Sequence, residues 1–352
     1  MDSSARSRLG SWVLPGVALL TVATAAAGCA SGSASGTGSN SKSGSNSAVP
    51  LQDSYESVVR TVLPSIMQIS AGNSTGSGVV YDNKGDIVTN AHVVGDAKTV
   101  EVLPASGKGV LPATVVGVFK PDDLAVIRVT KDANTLKMAR FGNSDDASIG
   151  EIVLAMGNPL GLTDSVTQGI VSAVGRTVSA NEPGSQALIT SAIQTSAAIN
   201  PGNSGGALVA LDNEVIGIPT LAARLPDAGA APGIGFAIPS NTVRNIANQL
   251  IKNGKVTNSD RASLGITAQT AANEQGQDGG VAIVGVQPGG AAAKAGLKPG
   301  DIIIAVNGQS TPSLQVLESA VAMLKPGTTV TLTVVRNGST SDVKATLGTL
   351  SS

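Results

Sequence analysis

Short apolar runs separated by polar turns fill the chain between residues 51 and 255. The turns recur roughly every 8 to 12 residues, which is typical of β-sandwiches and β-barrels, whereas parallel α/β folds alternate strands with helices. The pattern therefore predicts a mainly β domain over 51–255. Its predicted strands include Thr99–Leu103, Ala113–Phe119, Leu124–Val129, Ile152–Met156, Ser165–Val174, Leu188–Thr195, Ala207–Ala210 and Val215–Thr220.

Helical spacing of apolar residues is confined to a few segments. Tyr55–Ile69 combines a short helical start with a strand after Pro64. The segment after Pro239 predicts a longer helix, with Ser240 as its N-cap and Gly254 at its end. Its apolar positions are Val243, Ile246, Ala247, Leu250 and Ile251.

Two apolar runs, 76–81 and 87–94, flank a polar turn that contains Gly85, and they predict a β-hairpin with His92 at its far end. Asp123 stands directly before the apolar run that starts at Leu124. Taken alone, His92 is compatible with a hydrogen-bonded structural histidine and Asp123 with an ordinary acidic turn residue. Both are also candidates for catalysis.

A smaller module follows a polar linker at 256–262. Strands at Ala282–Val286, Ile302–Val306, Thr329–Val335 and Asp342–Leu347, with a helix from Ser313 to Leu324, predict a compact α+β domain over 262–350.

The amino-terminal 50 residues have a different character. Arg6 and Arg8 precede an apolar run that is followed by small residues and Cys29, which predicts an export signal over 1–29. The segment resembles a bacterial lipoprotein signal in which Cys29 carries the lipid, although Ala26 stands where leucine is usual. An uncleaved membrane anchor is the alternative. Either places the body outside the cytoplasm, beyond a flexible Ser/Gly-rich tether at 30–50.

Composition excludes several classes of function. The net charge is −1 and only 13% of residues are charged, so nucleic acid is not an expected partner. Cys29 and His92 are the single cysteine and histidine. The chain therefore forms no intramolecular disulfide, and we expect neither a metal site nor a cofactor. Any chemistry that needs an imidazole depends on His92.

Ser204 lies among Gly202, Gly205 and Gly206. A catalytic serine needs a base, exposure and backbone N–H donors near the oxyanion that it creates, and glycines allow the main chain to approach a substrate closely. The same residue types also form ordinary surface turns.

Five motifs follow one another along the predicted β domain. They are Thr89-Asn90-Ala91-His92-Val93-Val94, Asp123-Leu124-Ala125-Val126, Ile193-Gln194-Thr195, Ala198 to Gly206, and Gly233 to Pro239. Together they resemble the HtrA/Deg serine proteases of the chymotrypsin-like clan. The resemblance implies two six-stranded β-barrels, with His92 and Asp123 in the first and Ser204 in the second.

The resemblance implies a Ser204–His92–Asp123 triad, with Asp122 as a rival for the orienting carboxylate. It also implies an oxyanion hole formed by the N–H groups of Gly202 and Ser204. Asn203 replaces an aspartate that pairs with a newly cut amino terminus in digestive relatives, so that activation is not expected. In the family the Pro201–Gly202 peptide is instead the switch.

The implied substrate pocket is narrow and apolar, with Ile199 suggesting cleavage after small aliphatic residues. Ser196 and Pro219 depart from the family pattern, and Pro219 lacks a main-chain donor on the substrate-facing strand.

The segments Ala291–Gly296 and Leu297–Ile303 resemble a PDZ domain, present in one copy. The resemblance implies that a peptide adds to a sheet edge while Leu264, Gly265 and Ile266 capture its carboxylate. Taken alone, these three residues are compatible with an ordinary strand start.

Together these features predict an extracytoplasmic, ATP-independent serine endopeptidase for unfolded envelope proteins, gated by peptide carboxy termini at the PDZ domain. The resemblance further implies a homotrimer, and Cys29 predicts a lipid attachment to the membrane. The alternative is a PDZ-based peptide-binding or chaperone protein with incidental proteolysis.

Overall fold

The computed structural model describes residues 49–352 except 106–108, 159–164, 183–184, 201, 226–228 and 274–275. The predicted export signal with Cys29, and the tether up to residue 48, lie outside the described residues. Helix α1 (Val49–Val62) buries Val58 and Val62, and it ends where Pro64 enters a 3₁₀ turn. No helix in the described part of the chain is both long and apolar enough to cross a bilayer.

Six antiparallel strands close into a first barrel in the order β1-β2-β3-β6-β5-β4. A one-turn helix, α2 (Ala91–Val94), follows β3. Alternate residues such as Ile69, Ile87 and Ile127 fill the interior. The strands are β1 (Ile66–Ala71), β2 (Ser74–Val80), β3 (Asp86–Thr89), β4 (Thr99–Pro104), β5 (Leu111–Phe119) and β6 (Leu124–Val129).

The predicted β2–β3 hairpin is confirmed, with Val79 opposite Val88. Its predicted extension as a strand through Val94 is wrong. Asn90 Nδ2 and the Ala91 N–H both donate to the Asp123 carbonyl, which turns the chain into α2. The β-branched pair Val93 and Val94 resembles a strand locally, but tertiary contacts determine its conformation.

A second barrel has the order β11-β8-β9-β10-β13-β12, and a β11–β12 pairing closes it. Strand β7 adds to its rim, parallel to β12. The predicted mainly β fold with two six-stranded barrels is confirmed. The strands are β7 (Arg140–Phe141), β8 (Ile152–Gly157), β9 (Ser165–Glu182), β10 (Ser185–Thr195), β11 (Ala207–Ala210), β12 (Glu214–Leu225) and β13 (Gly229–Pro239).

Helix α3 (Ser240–Asn253) packs its apolar stripe into a core that also contains residues of both barrels, such as Val88 and Met156. The prediction that Ser240 caps this helix is wrong, because its hydroxyl donates to the Gly142 carbonyl at 2.8 Å. Gly254 ends the helix as predicted, with φ +68° and its N–H on the Leu250 carbonyl.

The carboxy-terminal domain is an α+β module around a sheet of order β15-β16-β17-β19-β20. Strand β15 lies at one edge, and β14 pairs with β21 separately. The elements are β14 (Ala262–Ser263), β15 (Ile266–Ala272), β16 (Asp278–Val286), α4 (Ala291–Lys294), β17 (Ile302–Val306), β18 (Gln309–Ser310), α5 (Leu314–Ala322), β19 (Thr329–Arg336), β20 (Ser339–Thr346) and β21 (Gly348–Thr349).

The segment 256–262, predicted as a polar linker, is fixed in place. Val256 is buried, and Ser352 bonds to it with both its N–H and its hydroxyl oxygen. The Arg261 carbonyl accepts from the Leu350 N–H. The barrels and the carboxy-terminal module consequently belong to one compact unit.

Candidate active site

His92 and Asp123 meet at the mouth of the first barrel. The imidazole Nδ1 lies 2.7 Å from Oδ2 of Asp123, and the His92 N–H donates to Oδ1 at 3.0 Å. The Asp123 side chain is fully buried, whereas 28% of the His92 side chain is exposed. A carboxylate facing Nδ1 favours a proton on that nitrogen, which leaves Nε2 as the acceptor.

Local backbone geometry aims the Asp123 carboxylate. Asp123 follows the 3₁₀ turn Lys120–Asp122 with φ +51°, a left-handed conformation that aspartate tolerates better than most residues. Its carbonyl accepts from Asn90 and Ala91, so this residue also anchors the start of α2.

Thr220 is a site residue that the sequence pattern did not single out. Its hydroxyl donates to Asp123 Oδ2 at 2.5 Å from β12 of the second barrel. The sequence shows only a threonine at the end of an apolar run, and the structure shows that just 4% of Thr220 is exposed. Buried polar side chains need partners, and this one finds the carboxylate of the other barrel.

Asp122, the rival for the orienting role, faces Arg261. Arg261 Nη1 donates to Oδ1 of Asp122 and also to the Pro121 carbonyl at 3.0 Å. Burial raises the pKa of the Asp122 carboxyl, and the nearby guanidinium partly opposes that rise. Asp123, and not Asp122, is therefore the carboxylate within hydrogen-bonding distance of Nδ1.

The loop that carries Ser204 is pressed against both barrels. The Ser204 carbonyl accepts from the Ser77 N–H of β2 at 2.9 Å, and the Gly205 N–H donates to the Pro219 carbonyl at 2.9 Å. Gly205 has φ +80°, and a Cβ there would lie 2.2 Å from the Ser77 carbonyl oxygen. Glycine is thus required at this position by both torsion and space. Ser204 itself stays partly exposed.

Asn203 is satisfied within the same loop. Its Oδ1 accepts from the Asn200 N–H and its Nδ2 donates to the Ala198 carbonyl, both at 3.0 Å. Gly202 has φ +113°, in a region that favours glycine. The direction of the Pro201–Gly202 peptide depends on Pro201, which lies outside the described residues.

Ile199, the predicted pocket residue, and the two departures from the family pattern, Ser196 and Pro219, all have contacts within the second barrel. Ile199 is 7% exposed and contacts Gly235 of β13, where a Cβ would lie 2.3 Å from Ile199 Cγ1. The Ser196 hydroxyl accepts from the Ile170 N–H. Pro219 pairs with Ala237, and its carbonyl holds Gly205. Ile199 as a specificity residue stays a prediction.

A cavity of about 1020 Å³ connects the His92–Asp123 pair to the carboxy-terminal module. Its lining includes residues of β15 and α5. Strand β15 is an edge strand of the described sheet, so one of its two sides pairs with no other strand. Leu264, Gly265 and Ile266 also line it. The cavity therefore brings the predicted carboxylate loop and the imidazole to the same space.

The predicted carboxylate loop is a tight turn before β15. Gly265 has φ +68°, and its N–H donates to the Ser263 hydroxyl at 3.0 Å. Leu264 is buried, and its carbonyl accepts from the Ala292 N–H. Ile266 opens β15 opposite Val286.

In the described part of the chain, no three His, Cys, Asp or Glu side chains cluster as metal ligands would.

Comparison with known families agrees with this architecture. Residues 76–218 match a trypsin-like peptidase domain and residues 262–347 match a PDZ domain. Among curated proteins, the chain is 40% identical to a probable periplasmic serine endoprotease DegP-like of Chlamydia trachomatis, over 77% of this chain and 53% of that protein. It is 42% identical to the serine protease Do-like HtrA of Lactobacillus helveticus, over 78% of this chain and 68% of that protein.

Solved structures show the same likeness. A serine endoprotease from Yersinia pestis is 36% identical with a TM-score of 0.56, over 84% of this chain and 98% of that one. The HtrA-type protease AlgW with tripeptide is 33% identical with a TM-score of 0.56, over 84% and 96%. The chain spans about half the length of the first curated relative, 53% of it.

Proposed function

The chain belongs to the HtrA family of trypsin-like serine proteases, and from that premise we propose that it is a serine endopeptidase with His92, Asp123 and Ser204 as its catalytic triad. The observation that carries the proposal is the 2.7 Å contact between His92 Nδ1 and Asp123 Oδ2 beside a cavity. Family membership supports the assignment of Ser204 as the nucleophile.

In this proposal Nε2 of His92 takes the Ser204 proton as the hydroxyl oxygen attacks the scissile carbonyl carbon. The buried Asp123 carboxylate keeps the Nδ1 proton in place and stabilises the imidazolium that forms. The imidazolium then protonates the leaving amine, and an acyl-enzyme remains on Ser204. Water, deprotonated by the same imidazole, releases the new carboxy terminus.

The oxyanion of each tetrahedral intermediate is bound by the N–H groups of Gly202 and Ser204. Removing one such donor typically costs about 3 kcal/mol of transition-state stabilisation. In this proposal Ile199 would make the substrate pocket narrow and apolar, so we expect cleavage after small aliphatic residues. Pro219 has no N–H and its carbonyl accepts from the Gly205 N–H, so this residue offers no main-chain hydrogen bond to a substrate strand.

We further propose that the enzyme works in the cell envelope on unfolded or damaged proteins without ATP. Relatives named periplasmic endoproteases support an extracytoplasmic site of action. Lipid on Cys29 would hold the body at the membrane, and a homotrimer is the proposed assembly. Fatty-acid labelling that persists in a Cys29→Ser variant would reject the lipid attachment.

The PDZ domain would bind peptide carboxy termini and regulate cleavage. Support comes from β15, which offers a sheet edge beside α5, and from the carboxylate loop at the head of that strand. A peptide added there would lie in the cavity that His92 also lines.

Digestion of unfolded β-casein by the wild type and by Ser204→Ala tests the proposed activity. Loss of a triad nucleophile lowers kcat by about 10⁶, so we expect no measurable cleavage by the variant. Sequencing the released peptides tests the small aliphatic preference. Equal cleavage by both proteins would reject the triad. Suppression of casein aggregation by both, without cleavage by either, would favour the chaperone alternative.

A further inference from the structure

Ser77 lies at the centre of the contact between β2 and the loop that carries Ser204. Ser77 is 0% exposed and lies in the middle of β2. The residues on either side of it, Gly76 and Gly78, have no side chains. A Cβ at Gly76 would lie 2.6 Å from Val93 Cγ2, so the strand is packed tightly against α2, which carries His92. Ser77 is thus the one side chain available between the two glycines.

The hydroxyl of Ser77 makes two hydrogen bonds across the barrels. It donates to the Gly202 carbonyl at 2.5 Å and accepts from the Asn158 N–H at 2.8 Å. A carbonyl can only accept and a peptide N–H can only donate, so the direction of both bonds is fixed by chemistry. Alanine at this position could make neither bond.

The Ser77 N–H bonds to the same loop, because it donates to the Ser204 carbonyl at 2.9 Å. The Ser77 carbonyl accepts from the hydroxyl of Thr89 in β3 at 2.7 Å, which fixes Ser77 within its own barrel. One residue of the first barrel therefore holds the carbonyls on both sides of Asn203.

These bonds restrict the backbone torsions that aim the oxyanion donors. Holding the Gly202 carbonyl fixes the peptide group between Gly202 and Asn203, and with it the carbonyl end of Gly202. Gly202, at φ +113°, has no Cβ to limit its torsions, so the loop needs a restraint from outside. The Ser77 hydroxyl supplies one, because the Gly202 N–H can then be displaced only by rotation about the bonds on its own amino-terminal side.

We propose that Ser77 is a positioning residue for the oxyanion hole, acting through the Gly202 carbonyl. It does not touch the substrate. Its role is to hold the N–H groups of Gly202 and Ser204 in the direction that stabilises the tetrahedral intermediate. This inference rests on the proposed endopeptidase function, because it assigns a role within the same reaction.

Ser77→Ala and Ser65→Ala form a matched pair for the test. Ser65 is 1% exposed at the start of the same barrel, and its hydroxyl has no hydrogen-bond partner among the described residues. Both substitutions remove one buried hydroxyl. Only the first removes the bond to Gly202.

We expect Ser77→Ala to lower kcat at least about tenfold, less than the 10²–10³ that loss of an oxyanion donor itself causes. KM should stay within about twofold, since ground-state binding does not use the oxyanion hole. The Ki of a peptide boronate, whose tetrahedral adduct with Ser204 occupies that hole, should rise by the same factor as kcat falls. The Ki of a product peptide should not change. Ser65→Ala should retain wild-type values.

Wild-type kcat and boronate Ki in a folded Ser77→Ala would overturn the proposal. An equal loss of activity in Ser65→Ala would overturn it too, because the effect would then be general to the barrel core. Should Ser77→Ala not fold, Ser77→Cys keeps a side-chain donor at this position but a weaker and somewhat larger one, and there the same split between kcat and KM is required. Wild type and Ser204→Ala are assayed alongside. If those two are equally active, the proposed function itself fails, and the role of Ser77 fails with it.

Discussion

The Thr220 hydroxyl donates to Asp123 Oδ2 at 2.5 Å, although the two residues are 97 positions apart and lie on different barrels. The same oxygen faces Nδ1 of His92 at 2.7 Å. Two donors on one buried carboxylate oxygen leave it little rotational freedom, and bonds to charged groups are worth roughly 1.5–3 kcal/mol. The second barrel thereby holds the group that orients the imidazole of the first.

Thr220→Val should lower kcat about tenfold, which corresponds to about 1.4 kcal/mol of transition-state stabilisation. Valine keeps the volume of threonine but cannot donate to Asp123, so the carboxylate and the imidazole become less well aligned. Thr220→Ser is the control, because it keeps the donor and should retain most of the activity. Steady-state kinetics on a peptide substrate measure both. Full kcat in Thr220→Val would mean that His92 alone suffices to orient Asp123.

Arg261→Ala should destabilise the protein by about 3 kcal/mol, the lower end of the cost of leaving one buried charge without its partner. The Asp122 side chain is 2% exposed and that of Arg261 is 11% exposed. Urea unfolding measures the change. The double variant Arg261→Ala/Asp122→Asn should recover much of the loss, since no buried charge remains. If the double variant is no more stable than Arg261→Ala, the cost comes from lost packing of the arginine.

The stability deficit of Arg261→Ala should shrink as the pH falls. Burial raises the pKa of Asp122 and Arg261 lowers it, so without Arg261 the folded-state pKa lies further above the unfolded value. A carboxyl with a raised folded pKa contributes stability that is present below the unfolded pKa and lost as the pH rises through the folded pKa. Unfolding free energies of variant and wild type, compared at about pH 8 and about pH 5, give the difference. A deficit that does not change with pH would contradict the assignment to Asp122.

Gly205→Ala should abolish proteolysis, whereas Gly233→Ala should not. Both glycines have positive φ, +80° and +75°, so each substitution carries a similar backbone strain of about 1–2 kcal/mol. A Cβ at Gly205 would lie 2.2 Å from the Ser77 carbonyl oxygen, while nothing lies within 4 Å of one at Gly233. The loop with Ser204 must therefore shift in the first variant only. Casein cleavage and thermal melts of the two variants test this, and comparable activities would show that the loop adapts.

Local sequence signals predicted the elements well where local preference and tertiary context agree. Strands β6, β11 and β17 have the predicted bounds, because apolar runs there are bounded by turn residues. The sequence pattern predicts a strand at Val93, since a β-branched run gives no sign of the Asp123 carbonyl that starts α2. The pattern also predicts Ser240 as a cap, because a local pattern does not reveal its distant partner, Gly142.

The residues of the candidate site likewise divide into those that a sequence motif identifies and those that only the folded structure reveals. Motifs with distinctive residue types led to His92, Asp123 and Ser204. Thr220 and Ser77 carry no such signal, because a hydroxyl in a strand acquires meaning only from what the other barrel places beside it. The motif predicts Asp123 as the orienting carboxylate with Asp122 as a rival. In the structure the left-handed φ of Asp123 and the contact of Asp122 with Arg261 distinguish the two aspartates.

A peptide with a free apolar carboxy terminus should bind the PDZ domain, and amidation of that terminus should weaken binding. The expected ligand of the carboxylate is the turn Leu264–Ile266, where Gly265 has φ +68° and a Cβ would lie 3.2 Å from Gln287 Oε1. A residue with a Cβ is strained at this positive φ, so Gly265→Ala should distort the turn and raise Kd about tenfold, equivalent to about 1.4 kcal/mol, although the exposed Gln287 side chain can move aside. Gly289→Ala is the matched control, since its φ is +72° but nothing lies within 4 Å of an added Cβ. Calorimetry with the free and amidated peptides measures each affinity. Equal Kd values for the two peptides would show that the turn does not bind the carboxylate, and equal losses in both glycine variants would attribute the effect to backbone strain alone.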